Sequence, residues 1–148
     1  MIKASVILDN KIWKKDIKNP KFFFDKKLKL LSNLYFFKKK NHQFTILLTT
    51  NKIIKQLNNK FRKKNKITDV LSFPFNKKIK KNSFLGDIAI SYEIVKKRSY
   101  NSNFVEELDK LWIHGLLHLL GYNHKKLRDY SKMYSKEKKI LKHFKTRN

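Results

Sequence analysis

Apolar residues in this chain follow two rhythms, one suited to strands and one to helices. Ala4 to Asp9 and Phe44 to Thr49 are short β-rich blocks and predict two strands. The second block leads to Asn51, read as a helix cap, and to a helix through about Phe61. From Pro20 to about Lys38, Phe23, Leu28, Leu31 and Leu34 recur at the spacing of one helical face. Phe22, Phe23, Phe24, Tyr35, Phe36 and Phe37 are expected on the core face of that helix rather than as platforms for bases. Val70 to Phe75 and Asp87 to Ser91 read as two more strands around the basic connector Asn76 to Asn82. Further helices are expected from near Ser91, from about Asn103 to Leu120, and from about Leu127 to Phe144, the last fraying into a basic tail from about residue 145. With no internal repeat and no Gly/Ser-rich linker, these elements predict an α+β fold and one domain over residues 1–148. Its small mixed β-sheet of about four strands should pack against about five helices.

Composition narrows the picture. A chain of 148 residues is long enough for one genuine core. It has no cysteine, which excludes disulfides and thiolate metal sites. Met1 to Lys15 carries charges within its apolar stretch and lacks a small-residue cleavage site, so no secretory signal is expected. No apolar run reaches bilayer-spanning length, and a soluble, cytoplasmic protein with no membrane partner is expected. The charge is extreme: 37 Lys+Arg against 11 Asp+Glu, a net +26. A polyanion such as RNA would relieve that self-repulsion. The chain also favours Lys, Asn, Ile and Phe, all of which have AT-rich codons, so its charge supports nucleic-acid binding without proving it.

Glycine is scarce, and its placement is informative. The chain has 3, and two of them, Gly115 and Gly121, fall in the segment His114-Gly115-Leu116-Leu117-His118-Leu119-Leu120-Gly121-Tyr122-Asn123-His124. His114 and His118 lie one turn apart on one helical face, and a left-handed Gly121 would turn the backbone so that His124 meets them. Three imidazoles converging in this way make a tetrahedral metal site with one position open, carried by a helix and the turn after it. The spacing is the ligand frame of metzincin proteases, but their general-base Glu is replaced here by Gly115. Zn²⁺, one per chain, suits neutral imidazoles, and Ni²⁺ or Co²⁺ could substitute in vitro. His42 and His143 lack partners at ligand spacing and are expected on the surface.

Three blocks resemble the YbeY family of bacterial endoribonucleases, the 16S rRNA maturation factors. One is the histidine segment; another is Leu57-Asn58-Asn59-Lys60-Phe61-Arg62 leading to Thr68-Asp69-Val70-Leu71-Ser72-Phe73-Pro74; the third is Leu85-Gly86-Asp87-Ile88-Ala89-Ile90-Ser91. Weaker matches follow at Met133, Glu137 and Ile140-Leu141. Two departures stand out. Asn123 replaces the Asp that members carry before the last histidine, which removes a charge from any support of the imidazoles. Lys63 and Ile67 stand where the family tends to have Gly and Pro.

The resemblance implies a hydrolase acting on single-stranded precursor 16S rRNA near its 3′ end, in ribosome quality control. Implied partners are the ribosome or its small subunit, with a ribosomal protein or a GTPase. A metal-activated water would attack the phosphodiester. Arg62 is the expected catalytic cation, because its planar fork grips phosphate as the neighbouring lysines cannot. The general base is open. Asp69 and Asp87 are the nearest carboxylates by motif, and their competing roles are turn capping for Asp69 and orientation of a histidine for Asp87. With Asn123 they form the expected supporting set around the metal. The RNA 2′-hydroxyl as nucleophile remains open as well. Glu106 and Glu107 fit dipole complementarity at a helix start, and Phe73 and Phe75, flanking Pro74, are candidates for the cleft wall. The alternative function is a non-catalytic basic rRNA-binding assembly factor with a structural metal. A metzincin-type peptidase is disfavoured by the missing Glu.

Overall fold

The computed structural model describes residues 1–76 and 78–147. Lys77, inside the expected connector, and Asn148, at the end of the expected tail, lie outside the described residues. In chain order the elements are β1 (Ile2–Leu8), a 3₁₀ turn (Lys11–Lys15), α1 (Pro20–Ser32), β2 (Asn41–Thr49), α2 (Asn51–Arg62), β3 (Val70–Pro74), β4 (Asn82–Ser91), α3 (Tyr92–Arg98), a second 3₁₀ turn (Ser99–Asn101), α4 (Phe104–Leu119) and α5 (Leu127–Thr146). The sheet runs β1-β2-β4-β3. β1, β2 and β4 pair in parallel, and β3 lies antiparallel on the edge. This is the expected α+β fold.

Burial explains the arrangement. Along β2, His42, Phe44, Ile46 and Leu48 alternate inward, the period-2 signature of a face covered on one side. That face packs on Trp13, Phe24, Leu31 and the apolar side of α4, including Leu108, Trp112, Ile113, Leu116 and Leu117. A smaller cluster, Ile54, Leu71 and Ala89, lies with α2 on the opposite face. Between α1 and α4, Lys27 donates to Asp109 at 2.8 Å, and Trp112 Nε1 donates to the same carboxylate at 2.9 Å. Two partners satisfy a buried charge that would otherwise be costly.

Several expectations need correction. α1 stops at Ser32, not Lys38. Beyond it the chain makes successive turns, so Leu34 and Phe37 keep helical spacing without the helix. Phe22 and Tyr35 are 66% and 90% exposed, outside the expected core face, whereas Phe24 and Phe37 are buried. Asn51 is not the cap of α2: Thr50 precedes the helix with no side-chain cap bond, and Asn51 Oδ1 accepts from Ser91 Oγ. α5 extends through Thr146, so helix occupies the start of the expected tail. His42 is buried because its strand position faces the core, and its Nε2 has no partner among the described residues. Burial lowers its pKa, helped by Lys40 and the N-terminal ammonium against a hydrogen bond that the ring donates to the Ser83 backbone. His143 is half-buried against the carbonyl of Leu30 rather than free on the surface.

The candidate metal centre and its cleft

α4 supplies the centre. Asn103 caps it by accepting from the backbone N–H groups of Val105 and Glu106, and Glu106 and Glu107 occupy its first turn as the dipole favours. At the other end Gly121 takes φ +93, and Tyr122 N–H closes back onto the carbonyl of Leu117. This positive φ is cheap for glycine alone, and it brings His124 over the last turn. The ring centroids of His114, His118 and His124 lie 4.6, 5.1 and 5.6 Å apart. Their candidate ligand atoms all fall within 4.8 Å of one another.

The outer nitrogens of two rings are already engaged. His114 Nδ1 donates to Glu137 Oε1 at 2.6 Å, and His118 Nδ1 donates to the carbonyl of Tyr122 at 2.9 Å. A carboxylate and a carbonyl accept only, so both Nδ1 atoms carry the proton, and in the neutral rings both Nε2 atoms keep their lone pairs. Those Nε2 atoms stand 3.1 Å apart. Two lone pairs that close repel each other unless a proton or a metal cation lies between them, and with His124 alongside the three-nitrogen donor set fits a metal ion. Burial lowers the pKa of His118, with further lowering by His114 and His124 against the Tyr122 hydrogen bond and Glu137. That favours the neutral ligand form.

The triad opens onto a cleft of about 390 Å³, lined also by Arg62, Thr68, Asp69, Val70, Ser72 and Pro74. Strand period sets that list: Val70, Ser72 and Pro74 point to the cleft, while Leu71 and Phe73 point to α2. Phe73 therefore packs on Phe61 rather than lining the cleft, and Phe75 packs on Phe84 and is exposed. Because β3 is an edge strand, Ser72 presents its carbonyl outward, and Arg62 donates to it at 2.7 Å. The guanidinium also lies over the Phe73 ring, 5.6 Å from its centroid.

The loop carrying Arg62 turns at Lys63, which is left-handed at φ 54, the conformation that a glycine there would adopt easily. Asn58 holds it, accepting Lys64 N–H through its carbonyl and donating from Nδ2 to the carbonyl of Lys66.

The expected supporting residues divide. Asp69 lines the cleft, accepts from Val70 N–H at 2.8 Å and pairs with Arg98. Asp87 lies on the opposite face, in a groove with Leu57, Phe61 and Phe73, and bonds to no histidine among the described residues. Its strand neighbour Ile88 is the residue that faces α4. Asn123 accepts from Lys125 N–H at 3.3 Å, closing the turn before His124 rather than supporting an imidazole. The supporting role falls to Glu137, 23 residues from His114 with no local spacing to announce it.

Gly115 has a steric reason. A Cβ there would lie 3.0 Å from Ile88 Cγ2, 3.1 Å from Ser72 Oγ and 3.2 Å from Val70 Cγ2. Ser72 Oγ also donates to the Gly115 carbonyl at 3.0 Å. A glutamate has no room on this side of α4. For Gly115→Ala, crowding of about 1–3 kcal/mol outweighs the helix-propensity gain of about 1 kcal/mol. Its denaturation midpoint is expected to fall, and a raised midpoint would mean that β3 yields freely. At Gly86, with φ +139, a Cβ would fall 2.2 Å from the carbonyl oxygen of Phe73, so the β3–β4 pairing itself requires glycine.

Comparison with known proteins adds an independent line. The family model described as Endoribonuclease YbeY matches residues 7–145. A Pelagibacter ubique (strain HTCC1062) protein named Endoribonuclease YbeY is 49% identical over 151 aligned positions, covering 99% of both chains. One of the same name from Thermodesulfovibrio yellowstonii is 38% identical over 131 positions, covering 84% of this chain and 80% of the relative. The solution structure of TM1509 from Thermotoga maritima superposes with a TM-score of 0.67 at 26% identity, covering 97% of this chain and 88% of that one.

Proposed function

This chain belongs to the YbeY endoribonuclease family, and from that premise we propose that it cuts single-stranded RNA at the histidine cleft. The substrate is precursor 16S rRNA near its 3′ end, and the work is late maturation and quality control of the small subunit in the cytoplasm. One observation carries the reading: the Nε2 atoms of His114 and His118 are turned 3.1 Å from each other by Glu137 and Tyr122, at the mouth of a cleft faced by Arg62.

His114, His118 and His124 would hold one Zn²⁺ through three nitrogen donors. Bound there, it supplies Lewis-acid polarisation and a water whose pKa falls to about 7. The protein's own side chains do the rest. Glu137 fixes the tautomer and angle of His114. Arg62, anchored at Ser72 and lying over Phe73, would offer its remaining N–H donors to a phosphate and balance the charge that develops during attack. Asp69 is the carboxylate lining this cleft and the group suited to accept the nucleophile's proton, whether from water or a 2′-hydroxyl. The surrounding lysines supply salt-sensitive attraction to the strand.

The deciding experiment is cleavage of a single-stranded precursor-rRNA fragment before chelation, after chelation and after zinc is restored. Activity is expected to vanish and return. Cleavage indifferent to the chelator would overturn the metal mechanism and point to another active site or a contaminating nuclease, whereas RNA binding with no cleavage even after zinc is restored would leave a non-catalytic rRNA-binding factor as the better reading.

A further inference from the structure

Beside the cleft lies a second cavity, about 430 Å³, that shares His114 and Asp69 with it but not Arg62. Its apolar floor is Leu111 and Leu141, and its rim carries Tyr134, Arg98, Lys110 and Lys138. α5 turns Met133, Ile140 and Phe144 into the core, so Tyr134 is not a packing residue of that helix. Tyr130 and Tyr134, 52% and 45% exposed, stack one turn apart with centroids 6.0 Å apart and planes 7° apart. Lys138, a further turn along, holds its ammonium 4.8 Å from the Tyr134 ring centre. Glu137, on the same turn as Lys138, bonds His114. An aromatic face is therefore fixed about one helical turn from the metal centre.

We propose that this cavity binds one unpaired nucleobase of the RNA strand, stacked on Tyr134, with the adjoining phosphate on Lys138. The inference rests on the RNA-cutting reading above and deepens it by assigning the strand a second point of attachment. The charges suit it. Arg98 is engaged by Asp69 and Lys110 by Glu107, whereas Lys138 has no carboxylate partner among the described residues. Its ammonium lies over the Tyr134 ring in the absence of RNA, and it would swing aside to the phosphate as the base takes that face. Stacking on an exposed aromatic is sequence-tolerant, because every base has a π-face. It also demands an unpaired base, since a duplex keeps its bases stacked inside. The cavity would thus make the centre selective for single strands without reading their sequence.

The test uses the full chain and a single-stranded oligonucleotide carrying 2-aminopurine at each position in turn. One position should change fluorescence on binding, and an abasic site at that position should weaken binding by roughly 10-fold. Tyr134→Ala should lose that discrimination, and Tyr134→Phe, which keeps the ring, should retain it. If Tyr134→Ala binds and cuts like the wild type while chelation still stops cleavage, the base site is wrong and the metal-centre reading stands. If the Tyr134-dependent fluorescence change occurs but the wild type cuts no RNA, the base site stands and the catalytic reading fails. Equal affinity for intact and abasic strands overturns the proposal outright and leaves the stacked tyrosines to a protein partner.

Discussion

His118→Ala is expected to reduce RNA cleavage to background and to leave a protein that no longer retains metal through purification. The ring it removes supplies one of two Nε2 atoms held 3.1 Å apart, and among the described residues no further His, Cys, Asp or Glu joins the cluster to replace it. Loss of a group that merely supports a ligand costs roughly 10- to 100-fold in metal affinity or activity, so loss of a ligand should cost more. Glu137→Gln gives the internal scale: its amide still accepts from His114 Nδ1 without a full charge, and it should fall within that lesser range. Metal content measured on the purified variants, beside cleavage rates and circular dichroism, separates ligand loss from unfolding. A His118→Ala protein that retains stoichiometric metal and cuts normally would remove the triad from the mechanism.

The histidine frame was legible because its chemistry is local. Ligands at i and i+4 share a face by helical geometry alone, and a glycine three residues later marks where the chain can turn back. The sheet and helix order was legible for a similar reason, since apolar period records which side of each element is covered. What the period does not record is the direction of a strand's inward side relative to a distant helix. β3 shows the cost of that gap: Ser72, not Phe73, faces the cleft, and Asp87 sits one register position away from the side facing α4. Glu137 was noted as a weaker family match, but its bond to His114 escaped for want of any short-range relation, since the docking of α5 on α4 brings them together. The overlong reading of α1 has a different cause. Leu34, Phe36 and Phe37 pack on the core from successive turns, and apolar spacing alone does not distinguish those turns from another helical turn.

Arg62→Lys is expected to lower kcat by about 10²- to 10³-fold, the usual cost of losing one well-placed donor to a developing oxyanion. Metal content should not change, because among the described residues Arg62 bonds to the Ser72 carbonyl and to no histidine. Fold stability should move by less than about 0.5 kcal/mol, because the residue is exposed at a helix end. The physical argument lies in how the guanidinium is held. One of its N–H groups is committed to the Ser72 carbonyl and its Cζ lies over the Phe73 ring, so the side chain is held at the cleft with donors to spare. An ammonium has the same charge but no plane to stack and no fork to share. Lysine should therefore keep the long-range attraction to RNA, with KM and its salt dependence near those of the wild type, while losing the contact that tightens in the transition state. A fall in kcat at constant KM would identify Arg62 as a group that acts on the reacting phosphate. A rise in KM at constant kcat would make it one more member of the basic surface with Lys60, Lys63 and Lys64. Wild-type kinetics in Arg62→Lys would show that charge alone suffices there, and the phosphate fork would have to be sought elsewhere in the cleft.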